Sequence, residues 1–126
     1  GAKKALQLSV SAPFHCPLMN PAKEIMLEKI KDVNLMEPLI PVLSNVKVNS
    51  EKSIDGIKHN LINQVTEMVR WREIMIKLKK EDVSDFYEIG SGSVLSNLAK
   101  RSCPSFNRKS INDKSSVDDF LTFLDK

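Results

Sequence analysis

Strand-like and helix-like apolar patterns alternate along this chain, and that alternation limits what its 126 residues can fold into. Leu6, Leu8 and Val10 alternate with Gln7 and Ser9, the period of two expected of a half-buried strand. Residues 39–46 form a short, nearly continuous apolar run, suited to a strand buried on both faces of a parallel sheet. Residues 85–89 read as a third strand, ending at the glycines Gly90 and Gly92. Elsewhere the period is helical. Asn20 and Pro21 read as N-cap and first helical residue, and Ala22, Ile25, Met26, Ile30 and Val33 then share one apolar stripe. Residues 55–65 predict a helix burying Ile57, Leu61 and Val65; residues 70–80 predict another, with Trp71, Ile74, Met75 and Leu78 on one face. A helix after the glycine turn carries Val94, Leu95, Leu98 and Ala99. Residues 102–115 are polar, contain Pro104 and read as a linker. In the final helix Ser116 is the expected N-cap, with Asp119 at N3 and Val117, Phe120, Leu121 and Leu124 on one face. Helices alternating with strands predict the α/β class with a mostly parallel sheet. Three strands are few for a self-sufficient α/β domain, so further strands are expected in a longer protein.

Composition narrows the function classes. A hydrophobic share of 41% with 28% charged residues is that of an ordinary soluble domain. No apolar run is long enough to span a bilayer, so no membrane partner is expected. The start, from Gly1 to Ala5, has neither an initiator Met nor the apolar stretch of a signal peptide, and the chain is expected to be cut from something longer. Cys16 and Cys103 have no CxxC spacing and, with only His15 and His59, make no metal-site pattern; they read as reduced thiols of a cytoplasmic protein. The net charge of +3 comes from scattered basic residues, with small clusters at Lys79 and Lys80, Lys100 and Arg101, and Arg108 and Lys109. That is too weak for nucleic acid and compatible with an acidic protein partner.

The stretch with the most chemistry is residues 11–19, SAPFHCPLM. It holds His15 between Pro13 and Pro17 in a loop following a strand, a rigid setting for an acid–base group. In an extended segment neighbouring side chains point opposite ways, so Cys16 is a poor partner for His15. No Gly-x-Ser-x-Gly elbow exists in the chain to supply a nucleophile. The residues alone therefore leave two readings of His15 open, a base or a loop histidine with a structural hydrogen bond. Gly90 and Gly92 invite comparison with phosphate-binding turns, yet position 95 is Leu where a third glycine belongs, and no Walker lysine follows. A tight turn that needs glycine backbone freedom is the simpler reading. His59 reads as solvated, Trp71 as core, and Arg70 and Arg72 as solvated or salt-bridged. Gln64, near a helix end, stands out by nothing in its local sequence.

Several blocks resemble the malonyl-CoA:acyl carrier protein transacylases, in that family's order and spacing. They are residues 2–6 (AKKAL), 10–22 (VSAPFHCPLMNPA), 40–46 (IPVLSNV), Gln64, 69–71 (VRW) and 87–96 (YEIGSGSVLS). The resemblance covers residues 1–101 of this chain but only the C-terminal portion of the family's enzyme. It implies an α/β-hydrolase-like acyltransferase domain with an inserted ferredoxin-like subdomain. On that reading residues 1–10 are the last strand of the small subdomain, 11–101 the C-terminal part of the large one, and 102–126 a polar linker and C-terminal helix. The resemblance makes His15 the catalytic histidine and Gln64 the residue whose backbone carbonyl accepts the histidine's ring N–H. Phe14 takes the place of an aromatic that accompanies malonyl preference, as a ring filling the space a methyl branch would need. The implied substrates are malonyl-CoA and acyl carrier protein, in fatty acid synthesis, with coenzyme A entering as a thioester substrate and no cofactor or metal.

Two departures stand out. The family's Gly-Pro-Gly-Lys turn reads Gly90, Ser91, Gly92, Ser93 here, and Met68 stands where a proline precedes the VRW block. The family's serine elbow, oxyanion-hole glutamine and carboxylate-binding arginine all lie upstream of what this chain contains. The missing N-terminal part of the same protein is therefore an expected partner, and the isolated chain is expected to be inactive. The alternative is a non-catalytic binding module of the same fold; a nucleotide-binding α/β domain is disfavoured by the incomplete glycine motif.

Overall fold

The structure is a computed structural model that describes Gly1, Ala5, Gln7 and residues 10–125. The chain divides into two compact units, Gly1–Arg70 and Trp71–Lys126. Of the strand expected over residues 6–10 and assigned to a small subdomain, Leu6, Leu8 and Ser9 lie outside the described residues.

In the first unit a single 3-10 turn, Pro17–Met19, runs straight into helix α1, Asn20–Lys31. Prolines open both, at positions whose missing N–H costs nothing. Asn20 is not the cap: it lies inside the helix, and Met19 precedes it with no side-chain cap bond. The turn supplies the acceptors instead. The Met19 N–H donates to the Cys16 carbonyl at 3.0 Å, and the Asn20 N–H to Pro17. Ile30 is the buried residue of α1, which packs on helix α2, Ile54–Asn63. Ser53 caps α2, its hydroxyl accepting the Gly56 N–H at 3.2 Å, while the Glu51 carboxylate accepts from the Lys52 and Ser53 N–H groups and the Ser53 hydroxyl. A side chain at Gly56 would meet that carboxylate and hydroxyl and displace the flexible end of Glu51.

The apolar run over residues 39–46 departs from expectation. Only Val42–Leu43 is a strand, β1, and it pairs antiparallel with the two-residue β2, Ser50–Glu51. Leu39 is 99% exposed and Ile40 74%, because a two-stranded ribbon this short covers neither face of the run. The buried face of α2 is also rotated from the predicted one: Asn60 is buried and Leu61 is exposed.

The second unit opens with α3, Trp71–Lys80, which buries Ile74 and Met75. The Trp71 ring meets Phe86 edge-on, with centroids 6.2 Å apart. Strand β3, Asp85–Ile89, leads through the glycine turn into α4, Val94–Ser102, and back to strand β4, Asn107–Ile111. The two strands are parallel, in register from Asp85 opposite Asn107 to Ile89 opposite Ile111. A helix connecting two parallel strands is the unit that the alternating pattern predicts.

Strand β4 corrects the linker expected over residues 102–115. The backbone ladder to β3 makes it a strand, although Asn107, Arg108, Lys109 and Ser110 are polar. Arg108 is accommodated because its guanidinium donates to the Pro104 and Phe106 carbonyls at 3.0 and 2.6 Å. The last helix, α5, Lys114–Leu124, begins two residues before Ser116, so the residue expected as its cap sits within it at N3. Asp113 is the N-cap: its carboxylate accepts the Ser116 N–H at 2.8 Å while the Asp113 N–H donates to the Ser116 hydroxyl at 3.1 Å, a reciprocal capping box. Tyr87 stacks at a tilt on Phe120 at 4.9 Å, and the Lys109 ammonium lies 4.5 Å from the Phe123 ring centre. No helix among the described residues is long and apolar enough to cross a membrane.

Candidate active site

His15 sits in a turn with Phe14, between the two prolines of its loop. Its backbone is not extended, as the flanking prolines suggested, but left-handed, with φ of 60°. This region is uncommon for a residue with a Cβ. The turn carries two further local bonds. The Phe14 N–H donates to the Ala12 carbonyl at 2.9 Å, and the Cys16 thiol donates to the Pro13 carbonyl at 3.0 Å.

The result points the imidazole at the C-terminal end of α2. His15 Nδ1 lies 2.7 Å from the Gln64 backbone carbonyl oxygen. A carbonyl oxygen only accepts, so Nδ1 carries the proton, and in the neutral ring Nε2 keeps its lone pair. Gln64 is the C-cap residue of α2, and its own N–H donates back to the Asn60 carbonyl. The carbonyl that meets His15 is thus one of the orphan acceptors that every helix end leaves over. The structure therefore brings together His15 and Gln64, which lie 49 positions apart in the sequence.

Phe14, His15 and Gln64 line one shallow depression with a volume of about 370 Å³, with Met19 and Met26 of the helical side and Asn45 from the end of β1. Phe14 is 55% exposed, at its rim. Met19 and Asn45 were not singled out from sequence, and Met26 was read there as part of an apolar helical stripe. The seven-residue spacing of Met19 and Met26 from each other, two helical turns, was the available signal; nothing local marks Asn45. A second cavity of about 140 Å³, between β1 and α2, shares Asn45 and Gln64 with the first. Its wall includes Asn60, whose buried Oδ1 has no hydrogen-bond partner.

The glycine turn in the second unit has a different use. Gly90 and Gly92 have φ of 139° and 84°, conformations that need glycine. The N-terminus of α4 is already occupied from within: Glu88 Oε1 accepts the Leu95 N–H at 2.9 Å and Oε2 accepts the Ser96 N–H at 2.8 Å. Burial of Glu88 raises its pKa, but the bonds from Ser96 and Leu95 outweigh it and hold the carboxyl below its ordinary value. The amides that could take a phosphate are bound to a carboxylate of the same chain. His59 is exposed and bonded to Asn63 one turn on, with Asn63 Nδ2 and His59 Nε2 2.7 Å apart.

Comparison with known proteins places this geometry. No family model matches the chain. A malonyl CoA-acyl carrier protein transacylase of Haemophilus influenzae is 39% identical over 124 residues, 98% of this chain and 40% of that protein. This chain is homologous to the malonyl CoA-acyl carrier protein transacylases. An acyl-carrier-protein-S-malonyltransferase of Bartonella henselae superposes with a TM-score of 0.90 at 37% identity, over all of this chain and 40% of its own. A malonyl-transacylase solved in complex with its type II PKS acyl-carrier protein superposes with a TM-score of 0.87 at 36% identity, over 98% of this chain and 40% of its own. The chain thus spans about 40% of the length of the transacylases it matches, as an α/β structure corresponding to their C-terminal portion.

Proposed function

We propose that this chain is the C-terminal portion of a malonyl-CoA:acyl carrier protein S-malonyltransferase, and that His15 is its acid–base group. The observation that carries the reading is the 2.7 Å bond from His15 Nδ1 to the Gln64 carbonyl. It fixes the tautomer that leaves Nε2 free to take a proton, the orienting work an aspartate does in a Ser-His-Asp triad. Nε2 takes the proton of a serine hydroxyl as the oxygen attacks the malonyl thioester, then returns it to the departing coenzyme A thiolate. In the second half-reaction the roles reverse: the carrier protein's thiol gives its proton to Nε2 while attacking the malonyl ester, and the serine oxygen recovers it. The serine belongs to the N-terminal part of the parent protein, an α/β-hydrolase-like domain with a ferredoxin-like insert. Coenzyme A enters as the substrate thioester, and the site needs no metal. Phe14, at the rim of the depression beside His15, limits the room for a branched acyl group.

The chain by itself transfers no malonyl group, because His15 has no nucleophile to activate. In the complete enzyme, His15→Ala lowers kcat by about 10²–10⁴-fold. Gln64→Ala, which keeps the backbone carbonyl, lowers it by less than about tenfold. Malonyl transfer from malonyl-CoA to carrier protein, followed by mass spectrometry of the acylated carrier, measures both. Equal loss in the two variants, or turnover by the purified chain alone, contradicts the reading. A non-catalytic binding module of the same fold is the alternative, and an unaffected His15→Ala enzyme would favour it.

A further inference from the structure

We propose that Cys16 is a positioning residue for His15: its thiol closes the turn that aims the imidazole at Gln64. The inference rests on His15 being the acid–base group. His15 pays a backbone cost of about 1–3 kcal/mol for its left-handed conformation, so something must hold the turn shut. The prolines do not do this. Pro13 and Pro17 fix their own φ, and neither has an N–H to donate. The donor that reaches back across the turn is Cys16 Sγ, 3.0 Å from the Pro13 carbonyl. Cys16 itself is extended, with φ of −147° and ψ of 169°, and directly precedes the 3-10 turn that begins α1. The thiol therefore ties the start of the turn to the start of the helical segment, with His15 the residue between them that must take the positive φ. In this turn the ring meets the Gln64 carbonyl at 2.7 Å. Side-chain adjacency in sequence, which argued against Cys16 as a proton partner, is what suits it to this role. The thiol acts on the backbone that carries His15 and exchanges no proton with the ring. A thiol is a weak donor, so its effect is modest and graded.

The test is the tautomer of His15 in the chain, read by two-bond ¹H–¹⁵N spectra of ring-labelled protein above the titration range of histidine. The chain has two histidines, so His15→Gln assigns the signals. The wild-type ring holds its proton on Nδ1. Cys16→Ala is expected to shift the Nδ1-H to Nε2-H ratio toward Nε2-H by about threefold or more, the scale of one weak hydrogen bond, and Cys16→Ser, which keeps a donor, restores the ratio. Should Cys16→Ala fail to fold, methyl methanethiosulfonate caps the half-buried Cys16 thiol in the folded wild-type chain and leaves the buried Cys103 alone; dithiothreitol reverses it. The capped protein is expected to behave as Cys16→Ala should. A wild-type ratio in the alanine variant or the capped protein overturns the proposal while leaving His15 as the base. A wild-type ring protonated on Nε2 overturns the orientation of His15 itself, and the role of Cys16 falls with it.

Discussion

Single residues carry most of the chemistry in this chain, and several do so through backbone conformation that no side-chain pattern announces. His15 was legible as a chemical group because a histidine between two prolines is constrained, and because its neighbours resemble a catalytic segment. Its φ of 60° was not, since the prolines argue for an extended residue and the thiol that closes the turn acts through space. Gln64 was legible only through the resemblance: its contribution is a backbone carbonyl, which every residue has. The glycines separate two kinds of requirement. At Gly92, with φ of 84°, an added Cβ meets open space, so the cost of Gly92→Ala is backbone strain alone. At Gly56 the φ is ordinary and the obstacle is contact with the Glu51 carboxylate and the Ser53 hydroxyl. Gly92→Ala is expected to destabilise the second unit by about 1–2 kcal/mol, visible as a lower urea midpoint with an unchanged slope. An unchanged midpoint would mean that the turn relaxes.

At the scale of elements, the starts of α2, α4 and α5 are held by carboxylates, and that makes stability depend on pH. Glu88 binds the first amides of α4, Asp113 caps α5, and Glu51 braces the start of α2. All three carboxyls are held below their ordinary values: Glu88 by the Ser96 and Leu95 amides against the opposing effect of burial, Asp113 by Ser116, and Glu51 chiefly by the Ser53 hydroxyl. A folded pKa below the unfolded one means that the stabilisation is full above the unfolded values, 4.5 for Glu and 3.8 for Asp, and is lost as pH falls through the folded ones. The Tm should therefore hold at neutral pH and drop on acidification below about pH 4.5. Glu88→Gln should lower Tm at pH 7 by a few degrees and flatten the acid limb, so that the two curves converge at low pH. Curves that stay parallel would show that Glu88 contributes nothing through its charge. The elements themselves were read unevenly. Helices α3 and α4 and strand β3 stand out because apolar spacing and glycine punctuation agree there. Strand β4 was missed because its residues are polar and its strand character comes from the ladder to β3, a partner 22 positions away. The start of α5 was misplaced because Asp113 and Ser116 are both good caps, and only the reciprocal bonds decide between them.

The whole molecule leaves uncovered much apolar surface that its sequence pattern marks for burial. In the first unit Met36 is 87% exposed, beside the bare Leu39 and Ile40. Burying one such side chain is worth about 1.5–3 kcal/mol, and large apolar side chains this exposed lose that gain. The run over residues 39–46 has the composition of a strand packed on both faces, yet among the described residues its strand partner is the two-residue β2. Its backbone is thus a template for pairing as well as an apolar surface. These two facts give the same expectation: the isolated chain self-associates. Sedimentation velocity should show species heavier than the 14.2 kDa monomer, increasing with concentration. Leu39→Lys together with Ile40→Lys should shift the distribution toward monomer, since charge beside the exposed strand β1 opposes edge pairing and costs little stability at positions this exposed. The same pair of substitutions in the longer parent protein proposed above should do the reverse of what it does here, impairing the fold, because there the run would lie between neighbouring strands. A chain that stays monomeric at every concentration, and a longer protein indifferent to the double substitution, would together show that residues 39–46 are a surface loop and not the exposed interior of a larger sheet.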